Sequence, residues 1–224
     1  YDGFRVSRTL NFMKAIFLND SHTESLSQVS LTSRDGFNEA WLQKTLYENP
    51  DLLNPLEIQD LDPIIPIARE LTLQGSSSKV FLDIFGIRSS GTPVLIECKL
   101  WRNPQARREV IGQILEYAAL LMQLTYSDLE ALLKSTKAIQ SKGLYSHLAE
   151  DNDGLVSEST FVDKMSECLS KGKFDLIIAG DGIRSDVQSV VEMLERSISG
   201  AASLSLLEIH EKEFPVFLTS GYKN

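Results

Sequence analysis

Two acids and a lysine stand where strand-forming sequence leaves little room for charge. Asp83 lies among Phe81, Leu82, Ile84 and Phe85, and Glu97 among Leu95, Ile96 and Cys98. An ionised carboxylate inside apolar strands is costly unless it is paired or bound to a cation. Strands alternate faces with period two, so Glu97 and Lys99 share one face and Cys98 takes the other. Two carboxylates and one ammonium thus converge near the ends of adjacent strands. Hard oxygen ligands of this kind suit Mg²⁺ or Mn²⁺, which keep several waters and complete their shell with substrate phosphate. The plain alternative is a buried Asp-Lys-Glu ion cluster that only specifies register.

The elements that must position these residues can be read from periodicity and turn chemistry. A helix is predicted over about 35–48, with Trp41, Leu42, Thr45 and Leu46 on one face and Asn49-Pro50 as its stop. Ile58 to Leu73 reads as extended, and Pro63 and Pro66 make it a bent or edge strand. Val80–Ile87 and Val94–Leu100 are strand runs joined by the turn-rich residues 88–93, a hairpin. Pro104 opens a long helix to about Leu124, whose apolar stripe is Val110, Ile114, Ala118 and Leu121. A short helix follows at Ser127–Leu133. Residues 135–172 read as a polar, acid-rich insertion with weak helical patches. Phe174–Ala179 is a continuous apolar run and so a buried strand. Gly180-Asp181-Gly182 makes a turn, Ser185 or Asp186 caps a helix to about Ser197, and Leu204–His210 is a last strand. Residues 1–34 form a lead-in of uncertain structure and 35–224 one α/β domain. Hairpins together with a helical crossover mean a mixed central sheet flanked by helices.

Asp83, thirteen intervening residues and then Glu97-Cys98-Lys99 resembles the D…(D/E)xK signature of the PD-(D/E)xK nuclease superfamily. The α-β-β-β-α-β order resembles its restriction-endonuclease-like core; the resemblance covers roughly Phe37 to Leu124, with the later β-α-β completing the sheet. Leu82 stands where the nominal motif has proline, a departure many members share. Gln113-Ile114-Leu115-Glu116-Tyr117 resembles the QxxxY motif of the RecB-type branch, and residues four apart share one helix face.

The resemblance implies a metal-dependent nuclease that hydrolyses DNA phosphodiesters in restriction, repair or defence. It implies that Asp83 and Glu97 bind Mg²⁺ or Mn²⁺, with a third acid from the first helix. Glu39 is the candidate, and Glu70 competes for that role. An acid near a helix N-terminus is also explained by the helix dipole alone. Lys99 would orient or deprotonate the attacking water or offset transition-state charge. Gln113 would position the water or Lys99, and Tyr117 would contact backbone phosphate or Gln113. The alternative is the same fold used as a nucleic-acid-binding or protein-interaction module without catalysis.

Arg102, Arg107 and Arg108 follow Lys99 with no acid before Arg108. Next to a metal site and a helix start they suit a phosphate track, against a plain solvated face paired with Glu109 and Glu116. Trp101 suits stacking on a base or anchoring the strand end.

Composition bounds the rest. A chain of 224 residues with 42% hydrophobic residues and a net charge of -9 does not coat nucleic acid through bulk charge. Residues 150 to 167 hold six acids against Lys164 alone and so supply -5 of that charge. The acidity therefore leaves room for a local basic track. Cys98 and Cys168 cannot make a disulfide framework, and Cys98 reads as a small core residue. His22, His147 and His210 lack zinc-ligand spacing. Gly180-Asp181-Gly182 lacks the third glycine of a dinucleotide loop. The most apolar segment, Val110 to Leu124, is broken by Gln113, Glu116 and Gln123, so no membrane span is expected. The chain starts at Tyr1 without a signal-peptide pattern, which reads as a trimmed start and a cytoplasmic protein. DNA is the expected partner, with RNA and a homodimer open.

Overall fold

Asn38 starts the first helix in the computed structural model by accepting the backbone N–H of Trp41 at 2.8 Å, the usual way of satisfying an orphan donor of the first turn. The structure describes residues 38–53, 62–75, 77–100, 106–140, 142–180, 190, 193 and 203–208. Helix α1 is Glu39–Glu48. The five strands that the sequence leads one to expect follow it: β1 Ile64–Gln74, β2 Lys79–Arg88, β3 Pro93–Lys99, β4 Asp175–Gly180 and β5 Ser203–Glu208. Between β3 and β4 come α2 Ala106–Leu121, α3 Tyr126–Ser135, α4 Leu144–Ala149 and α5 Glu158–Lys171.

The strands form one mixed sheet in the order β1-β2-β3-β4-β5. β1–β2 and β2–β3 pair antiparallel, while β3–β4 and β4–β5 pair parallel. β1 is thus an edge strand, as its prolines require. Its register shifts between Pro66 and Ala68, a bulge at the one place where a proline removes a ladder donor.

Two cores lie on opposite faces of the sheet. On one, Leu42 and Leu46 of α1 pack with Ile84, Val94, Ile96, Cys98 and Ile177. On the other, α2 to α5 cover Leu71, Leu82, Phe85, Leu95, Leu176 and Ile178. The alternation along β3 therefore puts Cys98 on the α1 face with Val94 and Ile96 and sets Glu97 on the face of Leu95, as period two predicts. Both cysteines are free and buried.

The segment expected as weak helical patches is more ordered than its composition suggests. α5 buries Phe161, Met165, Cys168 and Leu169 on one face, and Gly172 ends it in a left-handed conformation at φ 67°, which glycine adopts without penalty. The β2–β3 turn docks on this helix. Gly91 has φ 95°, and a Cβ there would meet the Phe161 carbonyl oxygen at 2.9 Å. Helix α2 stops at Leu121 rather than Leu124 because Thr125 and Asp128 form a capping box that begins α3.

At this end of the sheet, Arg88 pairs with Asp175 and donates to the Asp62 carbonyl at 2.6 Å. The lead-in 1–34, residues 101–105, the turn at 181–182 and the caps at 185–186 lie outside the described residues, as do His22 and His210. Val190 and Met193, which are described, are helical. Among the described residues no helix is long and apolar enough to cross a membrane.

Candidate active site

The pairing of β2 with β3 runs from Ile87–Pro93 to Ile84–Ile96 and stops there. One further step of the same register would set Asp83 opposite Glu97, and like charges directly across a strand pair repel. The strands part instead. Asp83 Oδ2 accepts the backbone N–H of Cys98 at 2.7 Å, so a side chain takes the place of a ladder carbonyl. Its other oxygen, Oδ1, accepts the Gln43 side-chain amide at 2.6 Å. Asp83 is thus held from the α1 side and from β3 at once.

The fork opens into a cavity of about 350 Å³. Glu39 of α1, Asp83 of β2, Glu97 and Lys99 of β3, and Gln113 and Tyr117 of α2 all line it. Helix, strand and helix periodicities therefore deliver six of the sequence-predicted residues to one place. Glu97 is only 4% exposed. Lys99 Nζ lies 3.4 Å from Glu39 Oε1, and the same oxygen accepts the backbone N–H of Leu100 at 3.2 Å. Glu39 is therefore engaged by Lys99 and the end of β3.

Burial dominates the electrostatics. Desolvation pushes the Asp83 carboxyl up to about 6, with the Glu39 charge adding to it, while the Cys98 N–H, Lys99 and Gln43 pull the other way. Glu97 is pushed up to about 8, first by desolvation and then by the charge of Asp83, with Lys99 opposing. Burial also raises the Cys98 thiol well above its ordinary range and raises the Tyr117 phenol, the acids beside it adding to the effect. Three acids face one ammonium here.

Two acceptors in the cavity lack a partner. Glu97 Oε2 and Gln113 Oε1 are buried without a hydrogen-bond partner, and both residues line the cavity. Leaving such an atom unsatisfied costs on the order of 1–3 kcal/mol. Both acceptors are free to take a donor or a cation. Among the described residues no three His, Cys, Asp or Glu side chains come together as a ligand set. Two carboxylates with water and substrate oxygens remain a common way to hold Mg²⁺.

The remaining expectations fall elsewhere. Glu70 lines a different groove, beside Lys44 and Tyr47, and is not among the residues that line the cavity. Trp101 and Arg102 lie outside the described residues. Arg107 and Arg108 lie in the first turn of α2, on the element that brings Gln113 and Tyr117. Gln43 was not expected at all. Its signal is a polar residue between Leu42 and Leu46 on the buried face of α1. Comparison with family models, curated proteins and solved structures finds no match.

Proposed function

We propose that the chain is a metal-dependent nuclease of the PD-(D/E)xK superfamily, with a restriction-endonuclease-like fold, that hydrolyses DNA phosphodiesters. One observation carries the reading: Asp83, Glu97, Lys99, Gln113 and Tyr117, drawn from two strands and a helix, line a single cavity with Glu39. The mixed sheet with antiparallel β1-β2-β3 followed by parallel β4 supports it, because it agrees with the expected core order. A binding module without catalysis has no need of the full acid, acid and lysine set, and all three are present.

Asp83 and Glu97 would hold Mg²⁺ or Mn²⁺, which when bound polarises the scissile phosphate and stabilises the leaving oxygen. Gln43 and the Cys98 N–H fix the Asp83 carboxylate before substrate arrives, so no reorganisation is needed at the moment of reaction. Lys99 leaves Glu39 to meet the charge that develops on the phosphoryl oxygens, or to orient the attacking water. Gln113 Oε1, an acceptor without a donor, accepts a hydrogen bond from that water. Tyr117 stays a phenol at neutral pH, because burial raises it, and so donates to a phosphate oxygen or to Gln113. Arg102, Arg107 and Arg108 would contact the flanking phosphates, and Trp101 would stack on a base. Sequence position beside Lys99 supports this part.

The test is cleavage of single-stranded, duplex and branched DNA in Mn²⁺ by the wild type beside Asp83→Ala and Lys99→Ala. Loss of cut product in both variants, with folding retained, is expected. Cleavage that survives both substitutions contradicts the assignment.

A further inference from the structure

Strand β2 overhangs its neighbour. It pairs with β1 from Arg88 to Lys79, but its pairs with β3 end at Ile84, so residues 79–83 belong to a two-stranded ribbon. Phe81 is on that ribbon, opposite Thr72 of β1. It is 55% exposed, a large apolar side chain in a strand whose next five residues are buried or half-buried. Single exposed apolar residues are ordinary on protein surfaces. Place is what sets Phe81 apart: it lines the same cavity as Asp83 and Glu97, two residues from Asp83 along one strand.

Two residues of strand advance the chain by about 6.6 Å, the scale of one nucleotide step between a phosphate and the base it carries. An aromatic face at that reach is a stacking platform for an unpaired base, and stacking of this kind tolerates any sequence. A paired base offers its faces only to its neighbours in the duplex. The exposed ring therefore selects for a strand whose base has left the stack.

We propose that Phe81 stacks on an unpaired base next to the scissile phosphate, which makes single-stranded or frayed DNA the preferred substrate of this site. The inference rests on the nuclease reading above. It adds a specificity-determining residue on β2 that acts through binding rather than bond making.

The test compares wild type with Phe81→Ala, Phe81→Leu and Phe81→Tyr on a single strand, a blunt duplex and a single strand with one abasic position. On the intact single strand, Phe81→Ala and Phe81→Leu are expected to raise KM roughly tenfold or more with kcat within about twofold. Phe81→Tyr restores KM, because it returns a ring where leucine returns only bulk. On the abasic strand the four proteins converge. A Leu variant equal to wild type, or equal effects on duplex and single strand, overturns the proposal while leaving the nuclease reading intact.

A second readout decides the matter even if no strand is cut. The fluorescence of 2-aminopurine in a bound single strand is expected to fall with wild type and Phe81→Tyr and to stay high with Phe81→Leu. No quenching by wild type, or no binding of DNA, overturns stacking. A fall in melting temperature for Phe81→Ala without any change in KM also overturns it, since that marks a ring covered by the chain itself.

Discussion

Gln43 donates its side-chain amide to Asp83 Oδ1 at 2.6 Å across forty residues of sequence, joining α1 to the strand fork. Asp83 keeps both oxygens in fixed hydrogen bonds, the other to Cys98 N–H at 2.7 Å. Outer partners of ligating carboxylates set ligand orientation, and losing one costs about 10–100-fold in metal affinity. Gln43→Leu is expected to weaken Mn²⁺ binding by about that factor, measured by calorimetry, with α1 still helical by circular dichroism. Unchanged affinity would assign Gln43 to packing alone.

The raised carboxyls make stability depend on pH with a definite sign. Asp83 at about 6 and Glu97 at about 8 stand above their ordinary values of 3.8 and 4.5. The stability that the neutral carboxyls contribute is complete below those ordinary values. It is lost as pH rises through about 6 and then 8. Without metal, Glu97→Gln is expected to match wild type near pH 4 and to exceed it at pH 8 by on the order of a few kcal/mol. Mn²⁺ then raises the wild-type melting temperature at pH 8 and leaves the variant unmoved. Denaturant titrations at the two pH values check both parts; parallel wild-type and variant curves contradict them.

Glu70 sits at φ 54°, the left-handed region that costs a residue with a Cβ about 1–2 kcal/mol. The β1–β2 pairs on either side, Arg69–Ile84 and Leu71–Leu82, place it across from Asp83. Glu70→Gly relieves the strain and is expected to raise stability by roughly 0.5–1 kcal/mol with cleavage unchanged. Glu70→Val, which is β-branched, lowers stability. Loss of cleavage in Glu70→Gly would make the carboxylate itself functional.

Gly91 offers a check on the scaffold. Alanine there carries both the left-handed penalty at φ 95° and a clash with the Phe161 carbonyl. Gly91→Ala is expected to cost about 1–3 kcal/mol by prising the β2–β3 turn from α5, as thermal melting would show. No loss would mean that the turn does not depend on that contact.

Much of the site is legible in the sequence because local rules carry it. Period two aims Glu97 and Lys99 together, and spacing by four puts Gln113 and Tyr117 on one helix face. The hairpin and β1 as an edge strand follow from turn residues and prolines. Gln43 escapes these rules, since its partner is forty residues away and a polar residue beside buried leucines does not name what it meets. The left-handed Glu70 escapes them too, for glutamate is not a residue that signals such a conformation. α5 is a different case. Phe161, Met165, Cys168 and Leu169 keep helical spacing, but Glu158, Asp163 and Glu167 on the outer face mask it when composition is read first.

Mn²⁺ soaked into crystals tests whether Asp83 and Glu97 hold one divalent cation between them. Anomalous scattering at the manganese edge is expected to give a peak between the two carboxyl groups, within coordination distance of Glu97 Oε2, and none there in Asp83→Asn crystals. Manganese bound only elsewhere on the molecule, with the cavity empty of anomalous signal, would contradict the claim.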